Sequence, residues 1–410
     1  MKWEMGKNKF ARYGLKNNPF PEVAIANFDD LRPFIPFDEK FMKEIFVLID
    51  SSISQKAWGG IPLVGKIGSG KTRLLFEVYE RYRQSDRVKL IFVDNPGLSL
   101  KDFYAVIVGK VLEDKSLLTF LFQRYKENLM EIISRRPQTS LEYPSKIIFD
   151  ISKRGIIYDA LNNLMCEEEI FPDQSLARSF AIVLAYEITS KKEYFKDKIS
   201  FVGSMQELLN DYRSAKDFLD GVRLPRRESA RLKFEKRELD ERTIINSGIK
   251  SLIRIFKLKG YEMLFLLIDQ FERVVEQLPT RSMLSLLDGY RSLIDKNLEN
   301  FSAVFACTTE SWFESAAAYP SFKDRFADPA EIPKVTLEVA QKIVVAYCDE
   351  YRISSEYKGL PFPFDQKSIS YIFTKSETIR DFLENCHMVL LKASLKSVSK
   401  IDEKSITQLL

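Results

Sequence analysis

The sequence predicts an α/β fold in which a parallel sheet is flanked by helices and carries a phosphate-binding loop. The glycine-rich stretch GKIGSGKT at 65–72 lies between a short apolar run and apolar residues at helical spacing. Further short apolar runs alternate with helical patterns, as in parallel sheets. Amphipathic helical patterns dominate the remainder, which predicts a large helical insertion and a C-terminal helical lid domain.

The elements of the core follow from where these patterns change. Short apolar or β-branched runs are typical of buried parallel strands, and residues with 3.6-residue spacing are typical of helices. The predicted core elements are helix 38–56, strand 61–64, helix 71–83, strand 88–94, helix 242–259, strand 263–268, helix 280–296, strand 302–307 and a short strand at 331–335.

Five segments are predicted along the chain. The first is rich in Pro and Asn and is expected to form an extended arm beside the nucleotide base, and the third contains amphipathic patterns with little strand signal. The segments are an N-terminal arm (1–37), the first part of the core (38–97), a helical insertion (98–240), the second part of the core (241–335) and a helical lid (336–410).

Composition narrows the class of protein. The 410 residues are 45% hydrophobic and 29% charged, with a formal net charge of +4 that permits nucleic-acid binding but equally fits an ordinary basic surface. Four cysteines without a CxxC pair indicate reduced thiols. The single histidine, His387, excludes HExxH chemistry, and its helix-like surroundings favour a structural position over a Ser-His-Asp triad. No apolar stretch approaches the roughly 18 residues of a membrane span, and no secretory signal is present. We expect a cytoplasmic protein without a membrane partner.

The glycine-rich stretch matches G-x-x-x-x-G-K-[ST], which predicts ATP and Mg²⁺ as cofactors. Glycines let backbone N–H groups approach a triphosphate, Lys71 is expected to reach the β- and γ-phosphates, and the Thr72 hydroxyl is expected to bind Mg²⁺. The following helix adds its N-terminal partial positive charge. The alternative, a chance glycine-rich turn, is disfavoured by the flanking patterns. The predicted nucleotide-binding residues are Gly65, Lys66, Ile67, Gly68, Ser69, Gly70, Lys71, Thr72 and Arg73.

A magnesium site of this kind needs a carboxylate at the end of a neighbouring strand. Asp269 directly follows the apolar run MLFLLI and is the predicted ligand, the alternative being a turn or helix-capping Asp. The next residue is Gln270, whose amide can orient water but cannot accept a proton. Glu272 is the nearby carboxylate that could act as the base, or it is a solvated helix residue. ATP binding is therefore predicted more firmly than rapid hydrolysis.

Two further features have both a functional and a structural interpretation. Thr308, preferred over Thr309, follows the run SAVFAC and could contact the γ-phosphate, or it caps the next helix. Residues 221–242 contain eight Lys and Arg against five acids, so they could contact DNA or a partner, or form a solvated linker.

The ordered motifs GKIGSGKT, LFLLIDQFE, FACTT, DRF and SETIRDF resemble those of the AAA+ and related STAND superfamily of P-loop ATPases. This resemblance covers about 60–95 and 240–400. The stretches DFLDGVRLPRRE, LKGYEMLFLLIDQFERV and FACTTESWFE resemble, more narrowly, the ATP-binding proteins of BREX-type phage-defence systems. The opening YGLKNNPFP resembles AAA+ ATPases of the origin-recognition and transposition-helper type, and IDQFE is similar to signalling STAND ATPases.

The resemblance implies roles for two arginines. Arg325 in DRF matches the arginine finger, which acts on the nucleotide of a neighbouring subunit and implies a homo-oligomer; the alternative is a surface arginine. Arg380 in SETIRDF matches the sensor arginine of the lid, which contacts nucleotide in the same chain. The family usually has Gly four residues earlier, where this chain has Ser376, which we expect to cap the helix instead.

Two functions from different classes remain. The first is an AAA+ ATPase that couples ATP binding and hydrolysis to assembly and to action on DNA or DNA-bound partners, in phage defence, replication or mobile-element processing. The second is a STAND-like nucleotide-dependent scaffold or signalling switch, which hydrolyses slowly because Gln270 follows the magnesium Asp and binds a protein partner through its insertion.

Overall fold

The protein was analysed as a computed structural model that describes residues 8–24, 32–113 and 241–409, together with residues 120 and 123. Most of the predicted insertion and all but the last two residues of the basic stretch 221–242 lie outside the described residues. In the part that is described, no helix combines the length and the apolar character needed to cross a membrane.

The centre of the fold is a five-stranded parallel sheet, which confirms the predicted fold class. The strand order is β2-β3-β4-β1-β5, and every pairing is parallel. The strands are β1 (Ile61–Val64), β2 (Val88–Val93), β3 (Met263–Ile268), β4 (Phe301–Cys307) and β5 (Ala330–Glu331).

Helices cover both faces of this sheet. The described helices up to β5 are α1 (Glu39–Gln55), α2 (Lys71–Tyr82), α3 (Leu100–Glu113), α4 (Glu241–Leu258), α5 (Glu272–Gln277), α6 (Thr280–Lys296), α7 (Thr309–Ala318) and α8 (Pro320–Lys323). One hydrophobic core contains α1 and α2, and the other contains residues of α3 to α8. Helix α3 begins within the predicted insertion, yet it packs on the sheet.

Strand β3 explains why the run MLFLLI is apolar throughout. Alternate side chains of a strand point to opposite faces of its sheet. Accordingly, Leu264, Leu266 and Ile268 belong to the core on one face, while Phe265 and Leu267 belong to the core on the other. Both faces are covered, so neither set of positions tolerates a polar residue.

The lid is helical and packs around a third core. Its helices are α9 (Leu337–Glu350), α10 (Gln366–Thr374), α11 (Ile379–Leu395) and α12 (Glu403–Leu409). The arm packs against this lid: Lys16 N–H donates to the Tyr351 carbonyl at 2.8 Å, and the Tyr13 hydroxyl donates to the Val398 carbonyl at 2.6 Å. The described part of the arm thus extends the lid.

Candidate functional site

The glycine-rich loop joins β1 to α2 and needs glycine at two positions. Gly68 and Gly70 have φ angles of +77° and +100°, which L side chains rarely adopt. A Cβ at Gly70 would lie 2.4 Å from Cζ of Phe37, and one at Gly68 would lie 2.8 Å from Oγ1 of Thr378. The loop is therefore bordered by the arm at Gly70 and by the lid at Gly68.

Lys71 is the first residue of α2 and is buried. Its Nζ donates hydrogen bonds to the carbonyl oxygens of Gly65 at 2.7 Å and Lys66 at 3.0 Å. Burial lowers the pKa of Lys71, while the nearby carboxylates of Glu272 and Asp269 favour its charged form. The ammonium group thus lies inside the loop, next to two acids from the second half of the core.

Asp269 and Thr72 meet although 197 positions separate them. The Thr72 Oγ1–H donates to Oδ2 of Asp269 at 2.6 Å. The carboxylate is only 4% exposed, and burial raises its pKa, while the hydrogen bonds from Thr72 and the backbone N–H of Gln270 lower it. A hydroxyl and a carboxylate oxygen at this distance are hard ligands that fit Mg²⁺.

The expectation that this acid ends a strand next to β1 was wrong. Strand β4 lies between β1 and β3, so the loop and Asp269 are two strands apart. Neighbouring strands are separated by about 4.8 Å, so the gap is about 10 Å at the sheet edge. Thr72 lies beyond the loop on α2, and its side chain closes this gap.

Glu272 begins α5 and faces the same site. Its predecessor Phe271 is fully buried, and Gln270 has a φ of +55°, so the chain turns sharply after Asp269. Oε2 of Glu272 is buried and has no hydrogen-bond partner among the described residues. Burial raises the pKa of this carboxyl, which Lys71 opposes. A carboxylate held in this way can accept a proton.

These groups line a cavity of about 390 Å³ between the core and the lid. Of the nine predicted nucleotide-binding residues, Gly65, Lys66 and Ser69 do not line it. The core contributes the other six residues of that set together with Asp269, Gln270, Glu272, Arg273 and Glu276. The arm and the lid contribute Pro21, Ala24, Tyr347, Ile379, Arg380 and Leu383. The size falls within the usual range for small-molecule sites, about 300–1,000 Å³.

Arg380 lies in the first turn of α11, where the lid contacts the loop. Its backbone N–H donates to the Gly68 carbonyl at 3.3 Å, and its Nε donates to the Ala24 carbonyl at 3.2 Å. The expectation that Ser376 caps this helix was wrong, because Thr378 caps it and Ser376 Oγ donates to the Ile372 carbonyl at the end of α10.

Thr308 and Arg325 do not line the cavity. The Thr308 side chain caps α7, accepting from Ser311 N–H at 3.2 Å and donating to Ser311 Oγ at 2.7 Å. Nε of Arg325 donates to Oδ1 of Asp295 at 2.6 Å. Contact of either residue with nucleotide stays a prediction, and for Arg325 it requires a second copy of the chain.

Several residues at the site were not predicted from the sequence, and three of them bear on its shape or chemistry. Arg273 lines the cavity from α5, a short helix that the sequence pattern did not indicate, and Phe37 contacts the loop from the arm. Cys307 ends β4, and burial raises the pKa of its thiol beside Glu272 and Lys71, so the thiol stays protonated. The only signal for Cys307 was its place at the end of a predicted strand.

Comparisons with known proteins find a likeness in structure but not in sequence. No protein-family model matches the chain, and no curated protein sequence matches it. An Aeropyrum pernix ORC1 protein in complex with DNA is similar at a TM-score of 0.41 and 12% identity, over 93% of this chain and 66% of that chain. The chain therefore spans slightly less than two thirds of that protein.

Two further solved structures show the same level of likeness. An Aeropyrum pernix ORC2 protein in ADPNP–ADP complexes has a TM-score of 0.45 and 10% identity, over 93% of this chain and 70% of that one. A Drosophila ORC structure bound to DNA has a TM-score of 0.40 and 12% identity, over 100% of this chain and 67% of that one. The resemblances to origin-recognition proteins and to BREX proteins both stay predictions.

Proposed function

We propose that the chain binds ATP with Mg²⁺ between its core and lid and hydrolyses it. The observation that carries this proposal is the 2.6 Å hydrogen bond between Thr72 Oγ1 and Asp269 Oδ2, next to a loop that requires glycine at two positions. Thr72 and Asp269 would hold Mg²⁺, which neutralises charge on the β- and γ-phosphate oxygens when bound.

The residues of the chain divide the remaining work. Lys71 exchanges its carbonyl partners for phosphate oxygens, and the loop N–H groups bind the same oxygens. Glu272 accepts the proton of the attacking water, because its buried Oε2 has no hydrogen-bond partner among the described residues and its carboxylate lies near Lys71. Arg380 contacts the phosphates from the lid, so closure of the lid and binding of nucleotide favour each other.

The loop assignment is tested by Lys71→Ala. The variant should lose binding of a fluorescent ATP analogue, because the substitution removes the buried Lys71 ammonium beside the loop. Lys43→Ala is the matched control, since the Lys43 side chain is exposed on α1 and does not line the cavity. Unchanged affinity in Lys71→Ala contradicts the assignment.

Hydrolysis separates the two candidate functions. If Glu272 is the base, Glu272→Gln lowers turnover by at least ~10²-fold, the usual size of a general-base effect. The alternative, a nucleotide-dependent scaffold or switch, is based on Gln270, which lines the cavity and cannot accept a proton. Slow turnover that is unchanged in Glu272→Gln would favour this alternative. Nucleotide affinity measured in parallel distinguishes lost chemistry from lost binding.

We further propose that the ATPase acts on DNA or DNA-bound partners as a homo-oligomer. The charge of residues 221–242, eight basic against five acidic, supports the DNA partner, and a protein partner is proposed for the insertion. Salt-dependent fluorescence anisotropy with duplex DNA tests the first of these. Absence of binding at low salt with ATP present contradicts the DNA part alone. Arg325 acts in trans in this proposal, which requires it to leave Asp295.

A further inference from the structure

Arg273 lies on the cavity face of α5. The residues Glu272, Arg273 and Glu276 line the cavity, whereas Val274 and Val275 are buried in the hydrophobic core. Helical residues three and four positions apart share one face, so the two buried valines determine which side of this short helix faces the cavity. The position of Arg273 is thus set by packing of the helix and not by the lid.

Among the described residues that line the cavity, Arg273 is the basic residue whose side chain remains available. The other basic side chains around the cavity are engaged with Gly65 and Lys66 (Lys71), Ala24 (Arg380), the Arg32 carbonyl (Arg73) and the Tyr347 ring (Arg32). Within residues 8–24, 32–113 and 241–409, Arg273 makes no side-chain hydrogen bond or ion pair, not even with Glu276 one turn away.

We propose that Arg273 binds the terminal phosphate of a nucleoside triphosphate and gives the site its preference for ATP over ADP. The proposal rests on the proposed nucleotide-binding function. Arg273 directly follows Glu272, whose carboxylate lies near Lys71, so it lies at the phosphate end of the cavity. A guanidinium offers a planar set of donors that matches phosphate oxygens. ADP has no γ-phosphate and loses this contact.

This role differs from that of Arg380. Arg380 belongs to the lid, and its guanidinium donates to the Ala24 carbonyl of the arm, so its contact with nucleotide depends on the lid position. Arg273 belongs to the core, next to Asp269 and Gln270. Arg273 is therefore able to distinguish the two nucleotides before the lid has closed.

The test compares two affinities in the full chain. Competition against a fluorescent nucleotide gives the affinities for a non-hydrolysable ATP analogue and for ADP, both with Mg²⁺. We expect Arg273→Ala to lose roughly 10- to 100-fold in affinity for the analogue, the size of a lost charge-assisted hydrogen bond, with unchanged affinity for ADP. Arg273→Lys should show a smaller loss. Arg281→Ala is the matched control, since Arg281 is an exposed arginine at the start of α6.

Other outcomes have separate meanings. Equal losses for both nucleotides, or no loss for either, overturn the proposal for Arg273. A wild-type chain that binds neither nucleotide contradicts the proposed function instead. If Arg273→Ala does not fold, Arg273→Lys provides the same comparison, because it keeps the charge and the aliphatic stem. It should lose affinity for the ATP analogue but not for ADP.

Discussion

Replacement of Asp269 by Asn tests whether the carboxylate proposed to bind Mg²⁺ lowers the free energy of unfolding of the nucleotide-free protein. The Asp269 side chain is 4% exposed and receives hydrogen bonds from the Thr72 hydroxyl and the Gln270 N–H, with Lys71 nearby. Burial outweighs these partners, because the pKa of Asp269 is raised. Asn keeps an acceptor oxygen for Thr72 and removes the charge. Glu272 remains as a counter-charge for Lys71, so we expect the nucleotide-free variant to be more stable by about 1–2 kcal/mol, the low end of what replacing buried charges by neutral groups gives.

The same argument fixes the pH dependence. A raised pKa means that the folded protein binds this proton at a higher pH than the unfolded chain. The charge therefore lowers the free energy of unfolding above the folded-state pKa, and this penalty disappears as the pH falls to the ordinary value of 3.8. The stability advantage of Asp269→Asn should be full at neutral pH and shrink on acidification.

Thermal unfolding without nucleotide measures this difference. An increase of about 1–2 °C in the melting midpoint is expected near neutral pH for a chain of 410 residues, together with loss of Mg²⁺-dependent nucleotide binding. Asp86→Asn makes the same charge change at an exposed position before β2 and should leave both properties unchanged. A less stable Asp269→Asn, or one that still binds nucleotide with Mg²⁺, refutes the reasoning.

Three other variants test neighbouring features. Gly70→Ala should lose nucleotide binding and about 1–3 kcal/mol of stability, because φ is +100° and the new Cβ meets Phe37. Adding Phe37→Ala should restore neither property, because it leaves the strained φ unchanged. Nucleotide titration and urea unfolding measure the two effects. Thr308→Val should cost about 1 kcal/mol through the lost helix cap and keep its turnover, whereas lost turnover at full stability would support a phosphate contact. Asp295→Ala should change the free energy of unfolding by less than about 1 kcal/mol and free the Arg325 side chain. If Arg325 acts in trans, the variant should reach a given turnover at a lower protein concentration than the wild type. Turnover reduced at every concentration argues against action in trans.

The sequence predicted the core elements closely because burial leaves a strong pattern. Strands β1 and β3 and helix α6 have the predicted limits, and the other core elements differ by a few residues at most. The strand order could not be predicted, since it depends on which buried strands pair and not on their composition. Helix α5 was missed because its six residues are too few to show a period.

The site divides in the same way between local and distant determinants. The loop and Asp269 were predictable because their chemistry is written into adjacent residues. The partners of Thr308 and Arg325 were not. A helix cap and a phosphate contact both favour Thr at the end of a strand, and the ion pair with Asp295 spans 30 positions between separate elements.

The segment from Asp269 to Arg273 shows how local backbone geometry assigns roles that sequence order does not. With Gln270 at a φ of +55° and Phe271 fully buried, the chain reverses after Asp269 and starts a helix at Glu272. A non-glycine residue at positive φ is uncommon, and it persists only where surrounding packing enforces it. Phe271 supplies that packing, since its ring contacts Phe305 and Phe322 at centroid distances of 5.1 and 6.0 Å. The turn therefore brings Glu272 to the cavity that Asp269 borders, although Glu272 stands two positions after Gln270, the residue that directly follows Asp269.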